Sequence, residues 1–260
     1  MDRTKAKEVF DEYTGKYDTG DVNVSLKIAH TYRVAELAER IGRSVGADAD
    51  FSWFLGLLHD IGRFEQLKRY GTFIDWDSID HAELGADILF LEHLIDRFPT
   101  DDIGIDQWES VAEKVIRLHD KLSLPEDLDP TTRLYAQVLR DADKSDIFRV
   151  LSEPPYDERN GRITQMSGTP DAEAARDEVM ICVREHRCVP KTFKKRLFET
   201  LIASCCLGFE LTYPETRKIV KEQGYLDRLM NVPVEDGVMA EQMRILRAEM
   251  DEAMSSSAIL

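Results

Sequence analysis

Phe51-Ser52-Trp53-Phe54-Leu55-Gly56-Leu57-Leu58-His59-Asp60-Ile61 is the stretch that decides the fold. Its apolar residues fall on every side of a helical projection, and such a helix belongs in the middle of a core. Asp50 is a candidate N-cap, so a central helix is expected over Phe51–Ile61. The run closes on His59-Asp60, a polar pair at the end of the most apolar segment of the chain. A carboxylate there must be paired or ligated, because burying it bare is costly.

Helical periodicity extends on both sides. Upstream, His30, Val34, Leu37 and Ile41 lie on one stripe that Gly42 and Gly46 terminate. Downstream, Asp77 or Ser78 is expected to cap a helix carrying His81, Leu84, Ile88 and Leu91. Val111, Val115 and His119 share the next face, which Pro125 stops. Thr131 or Thr132 opens another helix, with Leu134, Val138, Leu139 and then Asp143 inward. Further helices are expected over 172–187, 191–211, 213–224 and 235–254. No sustained alternation of apolar and polar residues occurs, so the fold class is all-α. Ser152–Asp171, with three prolines and two glycines, has no helical period and reads as a surface excursion, with a lid or binding loop as the alternative. The expected organisation is a helical domain over 1–150 with a C-terminal helical extension over 151–260 packed on it as one compact unit. Met239, Met243, Leu246 and Met250 in the tail read as core packing, with a second subunit of a homodimer as the alternative.

Composition excludes several function classes. Lys+Arg number 34 and Asp+Glu 50 in 260 residues, a net charge of −16 that repels nucleic acid polymers and anionic lipid. A buried metal can still reverse the field locally for a small phosphorylated substrate. The longest apolar run, Leu201–Phe209, is well short of the roughly 20 residues of a membrane span. Met1–Lys5 leads into charged residues with no apolar core of a signal segment, and the cysteines Cys182, Cys188, Cys205 and Cys206 show no CxxC spacing, so a cytoplasmic chain with buried thiols is expected. Lys191, Lys194, Lys195 and Arg196 read as a solvated helix face.

Four inward histidines (His30, His59, His81, His119) and two inward aspartates (Asp60, Asp143) on successive helices make independent structural accidents improbable. Imidazole and carboxylate together suit Zn, Mn, Fe, Co or Ni, and the absence of cysteine argues against a purely structural zinc. Six ligands suit two metals sharing a bridging aspartate, with room for water or substrate. His93 lies off its stripe, and it and His186 read as surface residues.

The ordered set His30, His59-Asp60 and Asp143 resembles the signature of the HD-domain superfamily, all-helical metal-dependent phosphohydrolases. The resemblance rests on His30-Thr31-Tyr32-Arg33-Val34, Leu58-His59-Asp60-Ile61-Gly62-Arg63 and Asp141-Ala142-Asp143-Lys144. His81-Ala82-Glu83-Leu84-Gly85-Ala86 and Val115-Ile116-Arg117-Leu118-His119 resemble the further histidines of binuclear members, and the likeness covers about residues 20–150. It implies a first ion on His30, His59, Asp60 and Asp143, and a second on His81 and His119, bridged by Asp60. The implied cofactor is one or two divalent ions of Mn, Fe, Co, Ni or Zn, with Mg a further candidate. Asp141, Asp143 and Asp146 all stand near the last ligand position; the family's Ala-Asp word selects Asp143, leaving Asp141 or Asp146 to orient ligands.

The implied reaction is hydrolysis of a phosphate ester of a small molecule or nucleotide by metal-activated water. Arg33, Arg63 and Lys144 are the nearest cations for phosphoryl oxygens, Arg63 first because a guanidinium fork suits phosphate. Asp60, Arg63 and Lys144 are thus the candidate catalytic residues, and Gln66 and Tyr70, in a wall formed by Glu65–Phe73, join Arg33 and Arg63 as candidates for substrate binding. Two other classes compete: a mixed-valent di-iron oxygenase of the same fold, and a non-catalytic ligand-binding module. The chain lacks the Gly-Tyr-Pro triplet of cyclic-dinucleotide hydrolases and has no room for an alarmone synthetase domain.

Overall fold

The computed structural model describes residues 1–153 and 173–255, and these are helical with no strand among them. The stretch 154–172, with nearly all of the expected surface excursion, lies outside the described residues. Contacts divide the chain into two compact units, Met1–Asp143 and Lys144 onward.

Short polar residues open most helices of the first unit. Asp2 caps α1 (Arg3–Thr14), Asp21 caps α2 (Val22–Ser44) and Asp48 caps α3 (Ala49–Leu58), each carboxylate accepting from backbone N–H groups of the first turn. Asp48, rather than the expected Asp50, takes the cap because its side chain reaches the Phe51 amide; Asp50 instead binds Arg3 from inside the first turn. All eight residues from Phe51 to Leu58 are buried, each large side chain contributing about 2 kcal/mol of transfer free energy. The helix expected to run to Ile61 instead breaks at His59-Asp60, and α4 (Ile61–Tyr70) starts anew, ending on left-handed Gly71.

Two close backbone approaches set the packing. A methyl group at Gly56 would stand 2.5 Å from Ala35 Cα, so α3 crosses α2 with main chain nearly against main chain. A methyl at Gly62 would meet His81 O at 2.2 Å, which places the start of α4 against α5 (His81–Ala86). Asp80 caps α5, displacing the expected Asp77 or Ser78, because its carboxylate accepts from the Ala82 and Glu83 amides. A π-helical turn over Asp87–Leu91 follows, and the extra residue rotates the face. Leu91, expected inward, is therefore 65% exposed while Leu89 is buried. The first unit continues with α6 (Trp108–Leu118) and with α7 (Pro130–Ser152) as far as Asp143, the rest of α7 belonging to the second unit. Asp129 accepts from the Thr132 amide and Pro130 supplies the first helical position, in place of the expected Thr131 or Thr132 cap.

In the second unit, α8 (Asp177–Arg184), α9 (Leu197–Cys205), α10 (Pro214–Gln223), α11 (Tyr225–Met230) and α12 (Gly237–Ser255) enclose a core of Phe148, Val183, Phe198, Ile202, Leu229 and the α12 stripe. That stripe is Met239, Met243, Leu246 and Met250, buried as core packing predicts. The single helix expected over 191–211 is instead a 3-10 turn at Lys191–Phe193, then α9, then a 3-10 segment at Cys206–Glu210. Lys191, Lys194, Lys195 and Arg196 thus lie before α9 and form no helix face. The four cysteines are free and buried. No helix among the described residues is long and apolar enough to cross a membrane.

Glu199 is a buried carboxylate at the start of α9 that accepts from the Arg176 guanidinium and from the Arg176, Lys195 and Arg196 amides. Burial pushes its pKa up, but these donors outweigh it and hold the group at about 2. A depressed folded pKa adds stability above the unfolded value that is lost as pH falls toward the folded one. Glu199→Gln is expected to lower unfolding stability by about 2–4 kcal/mol near neutral pH, because an amide cannot satisfy those donors. Urea titrations at neutral pH and at about pH 3 should show the gap between variant and parent narrowing in acid.

Candidate metal centre

Six side chains from separate elements of the first unit converge in its interior. His30 comes from α2, His59 and Asp60 from the break between α3 and α4, His81 from the first position of α5, His119 from just beyond α6 and Asp143 from α7. The four imidazoles and Asp60 are buried. Asp60 stands at the middle. Its Oδ2 lies 3.6 Å from His30 Nε2 and 3.4 Å from His59 Nε2. Its Oδ1 lies 3.6 Å from His81 Nε2 and 3.9 Å from His119 Nε2. Asp143 Oδ1 adds contacts of 3.1 Å to His30 Nε2 and 3.8 Å to His59 Nε2. Two donor groups result, His30–His59–Asp60 and Asp60–His81–His119, each with its ligand atoms within 4.8 Å of one another.

Helix ends orient two of the rings. His59 and His119 each follow the last residue of a helix, where the carbonyls of the final turn have no partner within the helix. His59 Nδ1–H donates to Gly56 O at 2.7 Å and His119 Nδ1–H to Ile116 O at 2.7 Å. A carbonyl only accepts, so the proton sits on Nδ1 and the lone pair of Nε2 points at Asp60. His81 Nδ1–H donates to Asp75 Oδ1 at 3.0 Å, with the same consequence.

His81 Nε2 and His119 Nε2 therefore face each other, lone pair to lone pair, 3.1 Å apart. Such a pair requires a proton or a cation between the nitrogens. Burial, then the neighbouring His81 and His59, push His119 down to about 4, and burial, then Arg63, lowers His81, so a proton is disfavoured at neutral pH. His59 Nε2 is buried without a hydrogen-bond partner. Burial works against charge on Asp60 and Asp143, but it is outweighed by Lys27 and His59 at Asp60 and by His30 and His59 at Asp143. Both carboxyls are held below their usual range and stay ionised. Aligned imidazole lone pairs beside ionised carboxylates fit divalent transition metals.

The remaining candidates divide. Arg63, three residues after Asp60, turns inward: its Nε lies 3.6 Å from Asp60 Oδ1, and its Nη1 donates to Gln66 Oε1, Phe73 O and Asp75 Oδ1. Gln66, expected to face substrate, is buried with its amide donating to Asp75, Ser78 and Ile79, and it braces the loop between α4 and α5. Tyr70 stands 46% exposed at the last position of α4. Arg33 is half-buried on α2, nearly one turn beyond His30. Lys144 Nζ pairs with Glu210 Oε2 at 2.9 Å. On α7, Asp143 meets His30 and His59, and Asp141 and Asp146 are buried. His93 is exposed, whereas His186, expected at the surface, is half-buried because it stacks on Phe209 and bonds Glu249.

Sequence reasoning missed Lys27. Its Nζ lies 2.6 Å from Asp60 Oδ2 and 5.6 Å from the Phe73 ring centroid, with the side chain 16% exposed. The available signal was its spacing, three residues before His30 and hence on the same helix face. Asp75, in the irregular segment before α5, was missed as well.

Residues 28–147 match the family model of the HD domain. No curated protein and no solved structure matches the chain.

Proposed function

Because residues 28–147 form an HD domain with a buried His/Asp cluster, we propose that the protein is a metal-dependent phosphohydrolase acting on a phosphate ester of a small molecule or nucleotide. The observation that carries this reading is the pair of imidazole Nε2 atoms 3.1 Å apart beside a carboxylate shared by both donor groups. His30, His59, Asp60 and Asp143 would hold one divalent ion, and Asp60, His81 and His119 the other. When bound, such ions supply Lewis-acid charge for phosphoryl oxygens and a hydrolytic water ionised near neutral pH.

The chain's own residues do the rest. Gly56 O and Ile116 O keep two rings turned with Nε2 inward. Lys27 and Arg63 approach different oxygens of Asp60, each also near the Phe73 ring, and bring two positive charges to the site of an acidic protein. That local charge favours an anionic ester and offers hydrogen bonds to its oxygens.

Phosphate release from nucleotide and sugar-phosphate panels should be measured under anaerobic conditions after loading with Mn, Fe, Co, Ni, Zn or Mg in turn. Turnover that persists without oxygen is the expected result. No phosphate release with any metal, together with oxygen consumption by iron-loaded protein, would overturn the proposal in favour of an oxygenase.

A further inference from the structure

His59, His119 and His81 each show an Nδ1–H donor bond, but their acceptors differ in kind. His59 and His119 end helices and use main-chain carbonyls three residues back. His81 begins α5, and the N-terminal turn of a helix presents spare N–H groups rather than spare carbonyls. Its ring has no such carbonyl beneath it, and the acceptor is a side chain, Asp75, six residues earlier. Asp75 is itself held: its Oδ1 also accepts from Arg63 Nη1 at 3.0 Å and Gln66 Nε2 at 2.9 Å. Gln66 in turn bonds Ser78 Oγ and Ile79 O, which fastens the whole segment between α4 and α5.

We infer that Asp75 is the positioning residue of the second metal position: it fixes His81 in the Nδ1–H form and aims its Nε2 at the point shared with His119 and Asp60. The inference rests on the metal-dependent reading of the site. A carboxylate behind a ligating imidazole fixes the ring and raises its basicity as a ligand. The Asp75 oxygen holds a ligand of the second position, whereas His59 of the first position is oriented by Gly56 O. Asp75 is therefore selective for one of the two ions.

Mn(II) titration calorimetry on full-length protein tests this. Asp75→Ala is expected to weaken the second site about 10- to 100-fold while leaving the first unchanged. Asp75→Asn, which keeps an acceptor but loses the charge, is expected to fall between, and it serves if the alanine variant does not fold. Long-range nitrogen–proton spectra of histidine-labelled, metal-free protein give a second readout: His81 should be a single Nδ1–H form in the parent and a mixture of forms in Asp75→Ala. Equal weakening of both sites with an unchanged His81 spectrum would overturn the inference, as would a second site of parental affinity. If the parent binds no Mn(II), the metal reading fails by itself, and the metal-free spectra still decide whether Asp75 holds the ring.

Discussion

Asp60→Asn is expected to yield folded protein that loses the second ion outright and binds the first only weakly. Each oxygen of this carboxylate serves a different pair of imidazoles, Oδ2 toward His30 and His59 and Oδ1 toward His81 and His119. The amide keeps the shape but removes the charge and turns an NH2 group toward one of those pairs. The second position then has no carboxylate left in its donor group, whereas the first keeps Asp143. Loss of a direct ligand exceeds the 10- to 100-fold cost of losing an outer partner, and turnover should fall by at least about a thousandfold. Elemental analysis beside circular dichroism checks both halves of the expectation. A full metal complement in Asp60→Asn would remove Asp60 from the bridging role.

Gly56→Ala is expected to damage the centre without touching any ligand. Its methyl group would stand 2.5 Å from Ala35 Cα, 2.8 Å from Ala35 N and 3.0 Å from Val34 O. These are main-chain atoms with no rotamer to change, so α3 must back away from α2. Overpacking of this kind costs about 3 kcal/mol or more when backbone has to move. Because α2 carries His30 and the Gly56 carbonyl orients His59, the same displacement pulls apart the ligands of the first ion. Denaturant unfolding and metal content should therefore fall together. Gly104→Ala, where a methyl group meets nothing within 4 Å, is the matched control and should change stability by less than about 0.5 kcal/mol.

The parts of this molecule that were legible in sequence are those with a period. The run Phe51–Leu58 announces a buried helix because no side of it is polar, and the Met239–Met250 stripe is buried as its spacing predicts. The clustered histidines and aspartates were legible as inward groups because each sits on or beside an apolar stripe, where a polar side chain must have a partner. What escaped lies where periodicity stops. No glycine or proline marks the break at His59-Asp60, and the π-helical turn that exposes Leu91 shows no turn residue either. Asp75 sits in an aperiodic segment, and its meaning depends on the helix-start position of His81. Lys27 looks like the solvent edge of α2 until the crossing of α2 and α3 brings Asp60 beneath it. Gln66 and Tyr70 were placed by nearness in sequence to Asp60, which does not tell a buried brace from an exposed helix end.

The main-chain anchoring of His59 and His119 has a bearing on how such a centre can drift over generations. No codon change deletes a peptide carbonyl, so the backing of those two rings is closed to point mutation as long as their helices end where they do. His81 instead leans on a side-chain acceptor, Asp75, that a single nucleotide change can replace. On the proposed two-ion reading, descendants of this chain can tune the second position through Asp75, and lineages that differ in metal preference should differ there before they differ at His81, His119 or Asp60.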